Sequence, residues 1–227
     1  MPEIDRIPGR KNGLYVLIRA LLMLAPLFLP WIVFSQGKPM APKDISVLRT
    51  RVKEAARATT TLACNFVQEK EMGMIAEKIT SRGKFLLKKD KKLRWEYTEP
   101  FIYIIVIDHD QIAVKDENKV SRFSLQSNKV FLEVNRVILG SLQGTLLEDE
   151  RNFSAAFYES KGGWMTRLSI RAPRLKETLD WIDIWFNRND FTVDRLEMHE
   201  AGGDVTRITF SDKKLNQPIA DEKFVVH

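Results

Sequence analysis

A mainly β fold of α+β class, built as an antiparallel meander, is what this sequence predicts, and three patterns carry the prediction. From Thr61 onward, apolar residues alternate with period two in short runs separated by tight turn signals. That alternation is interrupted at 127–147, where apolar residues recur at helical spacing. A second helical pattern, at 45–59, precedes the first strand.

Taken in order, Asp44 reads as the cap of a helix running through about Thr59, with Ile45, Leu48, Val52, Ala55 and Ala56 on one side. The run Thr59-Thr60-Thr61 then turns local preference toward strand. Leu62, Cys64, Phe66 and Gln68 alternate on the first long strand, and Ser81, Gly83, Phe85 and Leu87 on the next. Strands follow at Lys92–Thr98, Phe101–Asp108, Gln111–Asp116 and Lys119–Leu125, broken at Asp90-Lys91, Glu99-Pro100, Asp108-His109-Asp110 and Asp116-Glu117-Asn118. In the first of these, Leu93, Trp95 and Tyr97 share one face, and Arg94, Glu96 and Thr98 the other. Val130, Phe131, Val134, Val137, Ile138, Leu139 and Leu142 form one or two apolar helices. Such helices either plug the mouth of a curved sheet or pack on one of its faces. Strands resume at Phe153–Glu159, Met165–Arg171, Ile182–Asn187, Thr192–Glu200 and Val205–Ser211, with a short helix or loop at Pro173–Leu179. Strands this short and this tightly joined pair antiparallel.

The organisation is one domain, residues 45–227, behind a linker at 36–44 and an N-terminal export segment at 1–35. Arg6, Arg10, Lys11 and Arg19 precede an apolar run of 15 residues, Ala20–Phe34, short for a spanning helix, which needs ~20 residues. Val33 and Ser35 suit cleavage after Ser35. An uncleaved anchor reaching back to Leu14 is the rival reading.

Composition narrows the function. The chain of 227 residues carries a formal charge of +6. Residues 1–35 hold four basic and two acidic groups, which leaves +4 on the remainder. Basic and acidic residues are interspersed, apart from the run Lys88, Lys89, Lys91 and Lys92, which reads as a solvated strand end. Nucleic acid is therefore not an expected partner. The single cysteine, Cys64, excludes an internal disulfide and paired-cysteine chemistry. His109, His199 and His227 stand in no metal-ligand spacing, and there is no nucleophile elbow and no phosphate loop. No enzyme, catalytic residue, metal or cofactor is expected. What remains is apolar surface, which either seals a core or cups a greasy ligand.

One series of residues resembles a known family. Phe66-x-Gln68, Gly83-x-Phe85-x-Leu87, Leu93-Arg94-Trp95-Glu96-Tyr97-x-x-Pro100, Val106-x-Asp108, Ile182-x-Ile184 and Ile208-x-Phe210, in that order behind an export segment, resemble the periplasmic outer-membrane lipoprotein carriers of LolA type. The resemblance spans about residues 45–225. It implies an incomplete antiparallel β-barrel with an N-terminal helix and an inserted helical lid over a hydrophobic cavity. It also implies a periplasmic, monomeric carrier. Such a carrier takes the acyl chains of a lipoprotein, or a related lipid, from an inner-membrane ABC-type releasing complex to an outer-membrane receptor. The walls expected of that cavity are Phe66, Phe85, Leu87, Leu93, Trp95 and Tyr97 from the sheet, and Phe131, Val134 and Ile138 from the lid.

The departures from the family are local. Where the family carries an Arg-Pro whose arginine holds the lid closed, this chain has Lys89-Asp90. Lys89 is then the expected lid contact, as a point charge without the planar fork of arginine. The turn Asp108-His109-Asp110 replaces Asp-Gly, and the chain stops at Phe224-Val225-Val226-His227, before the family's usual last strand motif. Two other readings stay open: a membrane-tethered envelope interaction subunit, and a LolA-like accessory protein of a lipid or polyene pathway.

Overall fold

The computed structural model describes residues 37–73, 77–89, 91–116, 119–127 and 129–226. The chain divides into two compact units, Met1–Ser35 and Gln36–His227, and the export segment read at 1–35 lies outside the described residues.

The strands of the second unit are β1 (Lys38–Pro39), β2 (Thr61–Met72), β3 (Glu77–Lys88), β4 (Lys92–Glu99), β5 (Tyr103–Asp108), β6 (Gln111–Lys115), β7 (Val120–Ser124), β8 (Phe153–Ser160), β9 (Gly163–Ile170), β10 (Leu179–Asn187), β11 (Val193–Glu200) and β12 (Val205–Leu215). All of the described strands join one antiparallel sheet in the order β1-β8-β9-β10-β11-β12-β2-β3-β4-β5-β6-β7. The sheet does not close, since β1 and β7 are its two edges. The expected incomplete barrel is thus an open twelve-stranded sheet whose inner face carries the core.

Helix α1 (Pro42–Ala58) begins three residues earlier than Asp44 as a cap would place it. Ala41 is the capping residue, and Pro42 takes the first helical position, where its fixed φ fits and its missing N–H costs nothing. Asp44 instead sits in the first turn, where a carboxylate meets the positive end of the helix. The helix ends at Thr59, whose N–H and hydroxyl both donate to the Ala55 carbonyl, at 3.0 and 2.8 Å. Helix α2 (Lys129–Leu142) is the insertion read at 127–147, and a short α3 (Pro173–Lys176) links β9 to β10. Strand β5 starts later than the alternation predicts, because Phe101 and Ile102 belong to the β4–β5 turn and are exposed.

Register across β2 to β5 places inward residues in three rows. Phe66, Gly83, Tyr97 and Tyr103 stand opposite one another in turn, as do Cys64, Phe85, Trp95 and Ile105, and Leu62, Leu87, Leu93 and Ile107. Gly83 is required in its row. A Cβ there would stand 2.0 Å from the Glu96 carbonyl oxygen and 2.7 Å from the Phe66 ring, so only glycine lets that ring lie across the sheet. Leu48 and Val52 of α1 and Val137 and Ile138 of α2 pack into the same core as these rows. At the end of α2, Gly144 adopts a left-handed φ of 68°, and a Cβ there would meet Val52 at 2.6 Å. This close approach joins the C-terminal end of α2 to the middle of α1.

The outer face is closed in two ways. The tail after β12 crosses it and ends in a 3-10 turn, Asp221–Phe224, with Phe224 and Val226 buried against Ile104 and Val106. Beneath β9 to β12 there is a row of charges instead, with Arg167 paired to Asp183 and Arg207 to Glu197.

Candidate functional site

The third inward row forms the floor of the site. Leu62, Leu87, Leu93 and Ile107 line a cavity of about 710 Å³ that opens between the C-terminal ends of α1 and α2. Leu139 and Leu142 of α2 line it from above, and Phe191 and Leu215 from the side. That volume lies within the range of roughly 300–1,000 Å³ common to ligand pockets.

The other two rows are filled by one another. The rings of Phe66 and Trp95 lie 4.6 Å apart, Phe85 and Trp95 5.2 Å, and Phe85 and Phe210 6.0 Å. Tyr97 stands edge-on to Phe66 at 5.2 Å and donates its hydroxyl to Gln68 Oε1 at 2.9 Å. Burial pushes the Tyr97 phenol up to about 12, so it stays protonated.

Of the residues expected in the wall, Leu87 and Leu93 therefore line the cavity as it stands. Phe66, Phe85 and Trp95 form a closed aromatic cluster deeper on the same face, and Ile138 is buried in the core. Phe131 and Val134 belong to α2, but their side chains lie outside the described residues. Lys89, expected to contact the inserted lid, bonds the N-terminal helix instead: its Nζ donates to the Arg57 carbonyl, in the last turn of α1, at 2.9 Å. It makes this contact as a single bond, not as a fork.

The rim is polar and mostly basic. Lys53, Arg57, Lys88, Lys89 and Lys91 border the opening, with Asp110 and Glu148 as its carboxylates. Lys53 pairs with Glu148 at 2.7 Å and ties α1 to the segment after α2, while Arg136 and Asp149 pair at 2.8 Å. The Lys53 contact holds the Glu148 carboxyl below the ordinary range. Sequence reasoning saw the lysine run only as a solvated strand end. The signal that could have placed it is the spacing of Lys53 and Arg57, four apart on the helix that faces the same opening.

Among the described residues, no nucleophile–base pair lines the cavity. Burial pushes the Cys64 thiol up to about 12, against the pull of Lys213, so it is protonated at neutral pH. His109 sits in the β5–β6 turn with its Nδ1 2.5 Å from Asp108. His199 lies on β11, in a row that faces away from the core. Among the described residues, no group of three His, Cys, Asp or Glu side chains could hold a metal ion. No helix among them is long and apolar enough to cross a membrane.

Residues 57–227 match the family model of the outer membrane lipoprotein carrier protein LolA. An outer-membrane lipoprotein carrier protein of Methylobacillus flagellatus is 24% identical over 210 residues, covering 89% of this chain and 90% of that protein. One from Cupriavidus necator is 26% identical over 152 residues, covering 64% and 65%. Among solved structures, the LolA superfamily protein of Nitrosomonas europaea aligns over 80% of this chain and 97% of that one, with 12% identity and a TM-score of 0.41.

Proposed function

Since the chain belongs to the LolA family of outer membrane lipoprotein carriers, we propose that it carries acyl chains, those of a lipoprotein or a related lipid, in the cavity between α1, α2 and the inner face of the sheet. The observation that carries this reading is the cavity itself: an apolar floor from four strands, an apolar roof from a helix, and an opening to solvent. Binding of this kind needs shape and desolvation only. Each buried methylene contributes ~0.8 kcal/mol, so about ten of them supply roughly 8 kcal/mol before the cost of ordering the chain.

The aromatic cluster supports a second role in the same reading. Phe66, Phe85, Trp95 and Tyr97 continue the floor inward, so a longer acyl chain would advance by turning these rings aside. Lys89 and the Gly144–Val52 contact hold the helices over the sheet, so cargo would enter by loosening α1 from α2. The reading places the chain in the periplasm. Its donor would be an inner-membrane ABC-type releasing complex, and its acceptor an outer-membrane receptor.

The test is to express the full chain with its own N-terminus in a Gram-negative host and purify it from the periplasmic extract without detergent. Native mass spectrometry and lipid extraction then show what it holds. Acylated peptide or lipid on the wild type, absent from Leu142→Arg of unchanged circular dichroism, is the expected result. A wild type that emerges empty and takes up no fluorescent fatty acid would sink the proposal.

A further inference from the structure

The charge on the described domain is concentrated at one place. Residues 36–227 carry a formal +4, and the cavity rim alone holds five cations against two carboxylates. Three of those five are already engaged. Lys53 pairs with Glu148, Lys88 reaches Asp221 at 2.6 Å, and Lys89 donates to the Arg57 carbonyl. The remaining two, Arg57 and Lys91, are exposed, and among the described residues neither lies within ion-pair distance of a carboxylate, although Arg57 acts on Glu148 at longer range. They come from different elements, the last turn of α1 and the β3–β4 turn, yet border the same apolar opening.

The end of α1 would ordinarily oppose an anion here, because free carbonyls at a helix C-terminus carry negative potential. Lys89 covers one of those carbonyls and offsets it. An apolar cavity with two unpaired cations at its lip matches an amphiphile: chains in the cavity, a negative group at the rim.

Resting on the carrier reading above, we infer that the cavity prefers acyl amphiphiles with an anionic headgroup, whose charge Arg57 and Lys91 receive at the opening.

Isothermal titration of the purified chain with three dioctanoyl probes below their micelle concentrations tests this: phosphatidylglycerol, phosphatidylcholine and the uncharged diacylglycerol. Phosphatidylglycerol is expected to bind about tenfold tighter than the other two at low salt, and the margin is expected to shrink in 0.5 M NaCl. In the double variant Arg57→Glu, Lys91→Glu, the ratio of anionic to zwitterionic affinity is expected to fall to one or below. Glycerol 1-phosphate, which has the charge without the chains, is not expected to compete. Equal affinity for all three probes in the wild type, or a preference that salt leaves untouched, would overturn the inference while leaving the carrier reading intact. Competition by glycerol 1-phosphate as strong as that by the lipid would overturn it in favour of a soluble-anion site. Binding of none of the three probes would overturn both readings.

Discussion

The two halves of the outer face meet the same problem with opposite chemistry. Over β3 to β6, a strip of the chain itself covers the sheet: Phe224 and Val226 pack on Ile104 and Val106, with Leu86, Ala113, Val120 and Ile219 around them. Arg94 and Arg122 then secure the tail by donating to the carbonyls of Lys223 and Val226, at 3.2 and 2.8 Å. Over β9 to β12 and on to β2, charges lie in register across five strands: Arg167, Asp183, Glu197, Arg207 and Glu69 stand opposite one another in turn. Their own long side chains form the cover. Arg167 grips Asp183 with two bonds of 2.7 and 2.6 Å and lies over the Trp181 ring, and Arg195 lies over Trp185. Asp183 is left only 2% exposed and Glu197 8%. The row places these two carboxylates side by side, which is unfavourable unless cations surround them. Arg207 bonds Glu197 at 2.9 Å, Arg195 bonds it closely, and His199 Nε2 stands 3.1 Å from it. An apolar cover can be lifted as a unit. A charged one fails at whichever partner is removed.

The largest expected effect follows from that difference. Arg167→Ala strands a buried carboxylate and is expected to lower the unfolding free energy by about 3 kcal/mol in urea titrations. Replacing the pair, Arg167→Met with Asp183→Leu, is expected to cost less than either single change, because no unpaired charge remains. Phe224→Ala comes next, at about 2 kcal/mol. That is below the ~3–5 kcal/mol of an enclosed phenylalanine, because the tail undocks instead of leaving a void. Hydrogen exchange would show the loss confined to β4 and β5 and not spread through the sheet.

Acid separates the two halves more finely. Burial alone would raise the Glu197 carboxyl, but the hydrogen-bonded guanidiniums of Arg207 and Arg195, with His199 close by, outweigh it and hold the group well below the usual carboxylate range. A carboxyl lower in the folded than in the unfolded chain stabilises above the unfolded value, near 4.5, and that contribution is lost as pH falls below it. Glu197→Gln is therefore expected to be less stable than wild type at pH 7 and to lose less stability than wild type between pH 5 and pH 2, as followed by tryptophan fluorescence; Glu69, Glu148 and Asp149, also held low, account for the loss that remains. The smallest effect belongs to the tail's charged rim. Lys88 and Lys92 hold the Asp221 carboxyl low, but the group is fully exposed, so Asp221→Asn is expected to leave the urea midpoint where it was.

The meander was readable because its signal is local. Alternation places Leu93, Trp95 and Tyr97 on one face whatever they meet, and the inserted helix shows by its change of period. Gly83 was visible as part of a motif, but its reason, the Phe66 ring laid across it, needs the register of β2 on β3. The site was less legible for the same reason. Alternation groups Phe66, Phe85 and Trp95 with Leu87 and Leu93, but only the cross-strand rows show that the aromatic side chains fill one another and the leucines face open space. The tail was missed as a cover, since 216–226 has no periodicity and its two buried residues, Phe224 and Val226, are too few to signal a face. The two residues of β1 were read as linker, being too short to carry a pattern.

Strand order also governs how the protein comes into being. Strand β2 is the first long strand to be synthesised, yet it lies between β3 and β12, and its β12 partners run from Val205 to Leu215. Strand β8 likewise takes its outer neighbour from Lys38–Pro39, some 120 residues earlier. A chain delivered N-terminus first can zip β2 to β7 as it arrives, but one flank of β2 stays bare until nearly the last residue is through. Long-range pairing of this kind makes for slow folding, in milliseconds to seconds, with an apolar edge exposed meanwhile. The newborn protein is thus briefly in the position of a passenger that needs holding in water.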